Sequence, residues 1–167
     1  MKLATIRVNG TTRAVRVDED KAVDLGESDL VAFLRHTDWA ARAADADGDT
    51  YEGALDYAPV VVAPEKVVCV GLNYRTHILE MGRELPSHPT LFSKFARALV
   101  GAYDDVTLPA SSTQMDWEAE LGVVIGAEVR HADTEQARAA IAGYTVLNDV
   151  TARDWLYRTD PALMRRS

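Results

Sequence analysis

Apolar and polar positions in the first seventeen residues mark two short strands, "KLATIRV" at 2 to 8 and "TRAVRV" at 12 to 17, on either side of Asn9-Gly10. An Asn-Gly pair accepts the positive φ angles of a two-residue turn, so the chain is expected to open with a β-hairpin. From Ser28 the period lengthens. "SDLVAFLRHTDW" puts Leu30, Val31 and Leu34 on one helical face, with Ser28 as the expected N-cap. The acidic run "DADGDT", 45 to 50, closes this helical region; it lacks the distal Glu of a calcium loop and is read as a solvated turn. Two prolines then bracket apolar runs in "APVVVAPEKVVCVG", predicting a connection over 58 to 65 and a buried strand over 66 to 70.

Beyond that connection the pattern predicts a short helix around 73 to 82 and strand-like pieces within "PTLFSKFARALVG". A clear strand, "WEAELGVVIG", follows at 117 to 126. "DTEQARAAIAGY" reads as a helix capped by Asp133 or Thr134, with Ala137, Ala140 and Ile141 on its packing face, and "YTVLNDV" as another strand. A helix between strands leaves parallel pairing open. The chain is therefore α+β, with a small α+β domain over 1–62 and a more strand-rich unit over 63–167.

Composition narrows the classes. The 167 residues are 47% hydrophobic and 26% charged, a globular balance, and no apolar run is long enough to cross a bilayer. A formal charge of -8 disfavours nucleic acid and anionic membrane as partners. The single cysteine, Cys69, excludes an internal disulfide, and no signal peptide is evident at the N-terminus, so a cytoplasmic location is expected. Cys69 itself is read as structural.

Within "MDWEAEL", Glu118 and Glu120 are two apart on a strand and share one face. That face is either plain solvent-exposed surface or one side of a site. Asp149 ends the strand "YTVLN", and three converging carboxylates would require a hard cation, Mg²⁺, Mn²⁺ or Ca²⁺, to offset their repulsion. His77 and Glu80 in "VGLNYRTHILEMG" stand at i and i+3, where a carboxylate orients an imidazole for proton transfer, or where two exposed side chains simply face water. His36, His88 and His131 lack a partner at a useful offset and are read as surface residues.

Four ordered blocks, "VGLNYRTHILEMG", "PTLFSKFARALVG", "MDWEAELGVVIG" and "AGYTVLNDVTARDW", resemble the fumarylacetoacetate hydrolase family over about residues 63 to 167. The preceding region resembles the small N-terminal domain of bacterial members. The resemblance implies a β-rich roll, incomplete here, and a divalent metal held by Glu118, Glu120 and Asp149. It also implies that His77, oriented by Glu80, activates water. Arg153 matches an arginine near the substrate carboxylate, its alternative being a structural ion pair. Lys94 matches a lysine serving substrate or solvating a strand end, and Tyr74 a residue that lines the pocket or packs beneath it.

Departures are local and global. Arg97 stands where the family more often has a small residue, and Leu156 where Gln is frequent. The chain also stops before the family's "G-K-S/T" segment and is expected to be a fragment or truncated product. For an intact member the resemblance implies hydrolysis of a carbon-carbon bond in a diketo acid or acylpyruvate from aromatic catabolism. Isomerisation or decarboxylation of related 2-oxo acids stays open, as does a noncatalytic metal-binding product. A homodimer is the expected assembly.

Overall fold

The computed structural model describes residues 1–19 and 21–157. The chain divides into two compact units, the first Met1–Asp104 and the second from Asp105 onward, whereas the prolines predict a division near residue 62.

In the first unit, β1 (Lys2–Val8) and β2 (Thr11–Val17) pair antiparallel from Lys2↔Val17 to Val8↔Thr11. Asn9 and Gly10 both have positive φ, 49° and 78°, as a mirror-image hairpin turn requires. β3 (Lys21–Asp24) and β4 (Thr50–Glu52) complete a four-stranded sheet in chain order. Against it lie α1 (Leu30–Phe33) and α2 (Trp39–Ala44). Asp29, not Ser28, caps α1: its side chain accepts from the Ala32 N–H at 2.9 Å. The helix is one turn long, so Leu34 falls at its C-cap and the buried face is Leu30 and Phe33. Phe33 packs with Ala14, Leu25, Leu30 and Ala43, while Ala4, Ile6, Val15 and Ala22 form a second cluster. Among the described residues Thr5 is the buried polar side chain; its hydroxyl donates to Val60 O and accepts from the Leu30 N–H, so neither its burial nor that backbone donor goes uncompensated.

The same unit continues through β5 (Val67–Gly71), α3 (Arg75–Glu80) and β6 (Thr90–Lys94), with β5 and β6 antiparallel from Val67↔Lys94 to Gly71↔Thr90. The strand expected to be buried is not: Val68 and Val70 are exposed, because alternate positions of a two-stranded pair point to opposite faces. Cys69, between them, is half-buried. The unit closes with a loop that returns to β1. Both Nη atoms of Arg7 donate to Asp104, at 2.9 and 2.6 Å, and Nη1 also donates to Asp56 at 2.8 Å. Gly101 N–H donates to the same Asp104 at 2.6 Å. The guanidinium and then this amide hold the Asp104 carboxyl below the ordinary range.

The second unit contains β7 (Met115–Asp116), β8 (Ala119–Ile125), α4 (Thr134–Ala139), β9 (Ile141–Asn148), β10 (Thr151–Ala152) and α5 (Arg153–Leu156). β8 pairs with β9 and β7 with β10, both antiparallel, so no parallel pairing occurs among the described residues. Asp133 caps α4 through a reciprocal box with Gln136. Ile141, assigned to the helix by periodicity, is the first residue of β9; α4 ends at Ala139 with Ala140 as a buried C-cap.

Candidate functional site

The β8–β9 register sorts the candidate acids. Ala119 faces Asn148 and Glu120 faces Leu147, and the ladder extends one step further through Asp149 N–H donating to Glu118 O at 2.8 Å. Directly opposed residues of an antiparallel pair share a face, so Glu118, Glu120 and Asp149 lie on one side of the strand pair. Gly122 is on that face too, and a Cβ there would sit 2.9 Å from the Thr145 methyl and 3.0 Å from Leu147. The opposite face carries Leu121, Val123, Ile125, Tyr144 and Val146, all exposed.

An all-oxygen set of three half-buried carboxylates suits a hard divalent cation in its chemistry and in the face it occupies. The side chains are not gathered around one point: among the described residues no group of three His, Cys, Asp or Glu is arranged to hold a metal ion. Glu118 is engaged elsewhere. Arg153, the first residue of α5, donates through Nη2 to Glu118 Oε1 and through Nε to Asp116 Oδ2 at 3.0 Å. Its backbone N–H is fixed to Gln114 O at 2.8 Å, which aims the side chain along β7. Burial pulls the guanidinium's pKa down, but hydrogen bonds to Asp116 and Glu118 outweigh it and the net shift is upward. Arg153 and then the Trp117 amide draw Asp116 downward. Next in α5, Asp154 accepts from the Ser112 hydroxyl at 2.7 Å, and Trp155 Nε1 donates to Ser111 O, so the start of the helix is pinned to the segment before β7.

His77 and Glu80 lie on the first unit, on α3. The helix buries Ile78 and turns both partners outward, at 67% and 70% side-chain exposure, with Nδ1 and Oε2 4.0 Å apart. That separation is an ion-pair distance and too long for a hydrogen bond, so the carboxylate does not fix the ring. α3 ends firmly: Gly82 has φ +67°, its N–H donates to Leu79 O, and Arg83 N–H donates to Ile78 O. It begins after Leu72, a non-glycine residue at φ +53°. Tyr74 is the N-cap of α3 and is 47% exposed. Lys94 ends β6 opposite Val67 and lines a hollow of about 280 Å³ together with Glu65, Lys66 and Phe95. A larger hollow, about 560 Å³, lies at the β1–β2 turn among Arg7, Thr11, Arg13 and Ser28, and no candidate site residue lines it.

Of the interactions that escaped the sequence reading, two bear on residues near a candidate or read as unpartnered. Asp116 is one, since only the β7–β10 pairing brings it to Arg153. His36 is the other and corrects its reading as unpartnered. Arg42 can only donate, so His36 Nδ1 accepts from it at 2.8 Å and Nε2–H donates to Glu27 at 2.7 Å. The offsets, nine and six residues, belong to no helical or strand period. No helix among the described residues is long and apolar enough to cross a membrane.

The profile described as fumarylacetoacetate (FAA) hydrolase C-terminal matches residues 66–166. The chain belongs to the fumarylacetoacetate hydrolase family. Human mitochondrial oxaloacetate tautomerase FAHD2B is 52% identical over 98 residues, covering 59% of this chain and 31% of that protein. Among solved structures, a fumarylacetoacetate hydrolase from Exiguobacterium antarcticum superposes with a TM-score of 0.77 at 28% identity, over 93% of this chain and 57% of that one. A 5-carboxymethyl-2-hydroxymuconate delta-isomerase from Mycobacterium smegmatis gives 0.74 at 26%, over 93% and 57%. The chain thus spans about a third of the human relative's length and somewhat over half of these structures, and its sheet-rich architecture is a partial family fold.

Proposed function

We propose that this chain carries the acid face and proton-transfer residues of an enzyme acting on a small 2-oxo acid through an enolate, by keto–enol isomerisation. The observation that carries the reading is the placing of Glu118, Glu120 and Asp149 on one face of β8–β9. These three residues would hold a divalent cation, Mg²⁺ or Mn²⁺ by their oxygen chemistry, whose contribution is to stabilise negative charge developing on a substrate oxygen. Arg153 offers a planar fork to the substrate carboxylate. His77, with Glu80 on the same helical face, moves the proton, while Lys94 and Tyr74 contribute to binding. The names of the human tautomerase and the mycobacterial isomerase support isomerisation over other enolate chemistry.

Hydrolysis of a carbon-carbon bond in an acylpyruvate from aromatic catabolism is the second reading. It is favoured by the His77–Glu80 pair, which can take a proton from water, and by the name of the Exiguobacterium protein. The two readings part in one assay. With Mg²⁺ present, oxaloacetate enol absorbance and acylpyruvate cleavage are followed separately. Faster enol decay without cleavage supports the isomerase; cleavage alone supports the hydrolase. Glu118→Ala is expected to abolish calorimetric Mg²⁺ binding, and His77→Ala to keep binding while losing turnover. Unchanged Mg²⁺ affinity in Glu118→Ala would remove the ligand assignment, and full turnover in His77→Ala the proton-transfer role. A homodimer in the cytoplasm is the proposed setting, although the human relative is named as mitochondrial.

A further inference from the structure

The same arginine fork that suits a substrate carboxylate is, in this structure, spent on the protein's own acids. Nη2 of Arg153 donates to Glu118 and Nε to Asp116, while its backbone is tied to Gln114. Glu118 is also the acid that stands directly across from Asp149. We propose that Arg153 is a built-in counter-cation for Glu118, competing with a divalent metal for that carboxylate, and that Asp116 is the post on which the guanidinium remains when the metal takes Glu118.

The inference rests on the metal-holding role proposed for Glu118, and three features carry it further. A carboxylate cannot pair closely with a guanidinium and a divalent cation without bringing the two positive groups within a few ångströms of each other. In a half-buried setting that repulsion is only partly screened. The two contacts are also separable, because Nε and Nη2 point to different carboxylates and releasing one leaves the other intact. Finally, the backbone anchor to Gln114 and the Asp154–Ser112 bond hold the start of α5 in place during the exchange, so only the end of the side chain has to move. No covalent bond changes. A cation arrives at Glu118 and one charge-assisted hydrogen bond is given up. The Nη2 arm, freed but still anchored through Nε, then becomes available to an anionic ligand. Metal loading thereby prepares the arginine for a carboxylate.

The test compares Mg²⁺ and Mn²⁺ affinity of the full chain with that of Arg153→Gln, by calorimetry. Glutamine keeps polar reach without the charge. The variant is expected to bind the metal roughly two- to fivefold more tightly, the range a partly exposed ion pair accounts for. Equal or weaker binding by Arg153→Gln overturns the competition while leaving the ligand assignment standing. Absence of binding by the unsubstituted chain overturns the metal reading itself, and the two failures are therefore distinct. Should circular dichroism show the variant unfolded, the unsubstituted protein decides the matter through arginine side-chain NMR. Mg²⁺ is expected to shift the Arg153 Nη signals and leave the Nε–H signal nearly in place. Nη signals that ignore saturating, calorimetrically verified Mg²⁺ overturn the proposal.

Discussion

Gly101→Ala tests the way the first unit closes on itself. A Cβ built on Gly101 would lie 1.9 Å from Tyr57 O and 3.0 Å from Asp104 Oδ2. Carbon and a carbonyl oxygen approach no nearer than about 3.3 Å, so backbone must move by roughly 1.4 Å. The nearer obstacle, Tyr57 O, is main chain and cannot turn away as a side chain would. Displacing Gly101 also pulls its N–H off Asp104, the acid that receives the Arg7 fork. Overpacking of a tight site costs about 1 to 3 kcal/mol, and a backbone obstacle places this substitution near 3 kcal/mol. With a urea slope of about 2 kcal/mol per molar, the midpoint for this unit falls by about 1.5 M. The assay is urea unfolding read by amide exchange in β1–β2 peptides, which reports this unit and not the second. A midpoint loss under about 0.5 M would refute the reasoning, showing that the Gly101–Tyr57 approach is not kept in solution.

Phe33→Ala removes the largest fully buried side chain among the described residues and is expected to cost about 3 to 5 kcal/mol, measured in the same urea assay. Acid titration should weaken both units. Asp104 and Asp116 have folded pKa values below their unfolded ones, so their contribution is complete above about pH 4 and disappears as pH falls toward the folded values. Asp104→Asn should flatten that acid limb in the first unit and leave the second unit's limb unchanged, as followed by circular dichroism with amide exchange.

Local chemistry was readable where few residues decide it. Asn9-Gly10 specified its turn because both positions need positive φ, and the start of α4 was narrowed to Asp133 or Thr134, the box with Gln136 deciding for Asp133. The common face of Glu118 and Glu120 followed from strand alternation. Other features depended on contacts distant in sequence. Asp116 meets Arg153 only after β7 finds β10, 37 residues separating the partners. The end of α4 was overrun because alanines at 139, 140 and 142 suit a helix, whereas pairing with Ile125 draws Ile141 into β9. The exposure of β5 is not legible in its sequence, because an apolar run does not reveal whether both faces are covered.

The two unlike faces of β8–β9 have a consequence for how this segment tolerates change in length. Carboxylates and a tightly flanked glycine occupy one side and exposed aliphatics the other, and a strand's side chains reverse with every residue counted. Deleting one residue between Gly122 and Val124 would leave Glu118 and Glu120 no longer in step with the positions that follow, while a single conservative replacement there would leave the alternation intact. The irregularity already present between Val124 and Ile125, where β9 carries the extra residue Ala142 opposite β8, marks where the pairing absorbs such a miscount, past the glycine and clear of the acids. Insertions and deletions should therefore be tolerated after Ile125 and rejected before it, making spacing in this strand a stricter requirement than the identity of its aliphatic residues.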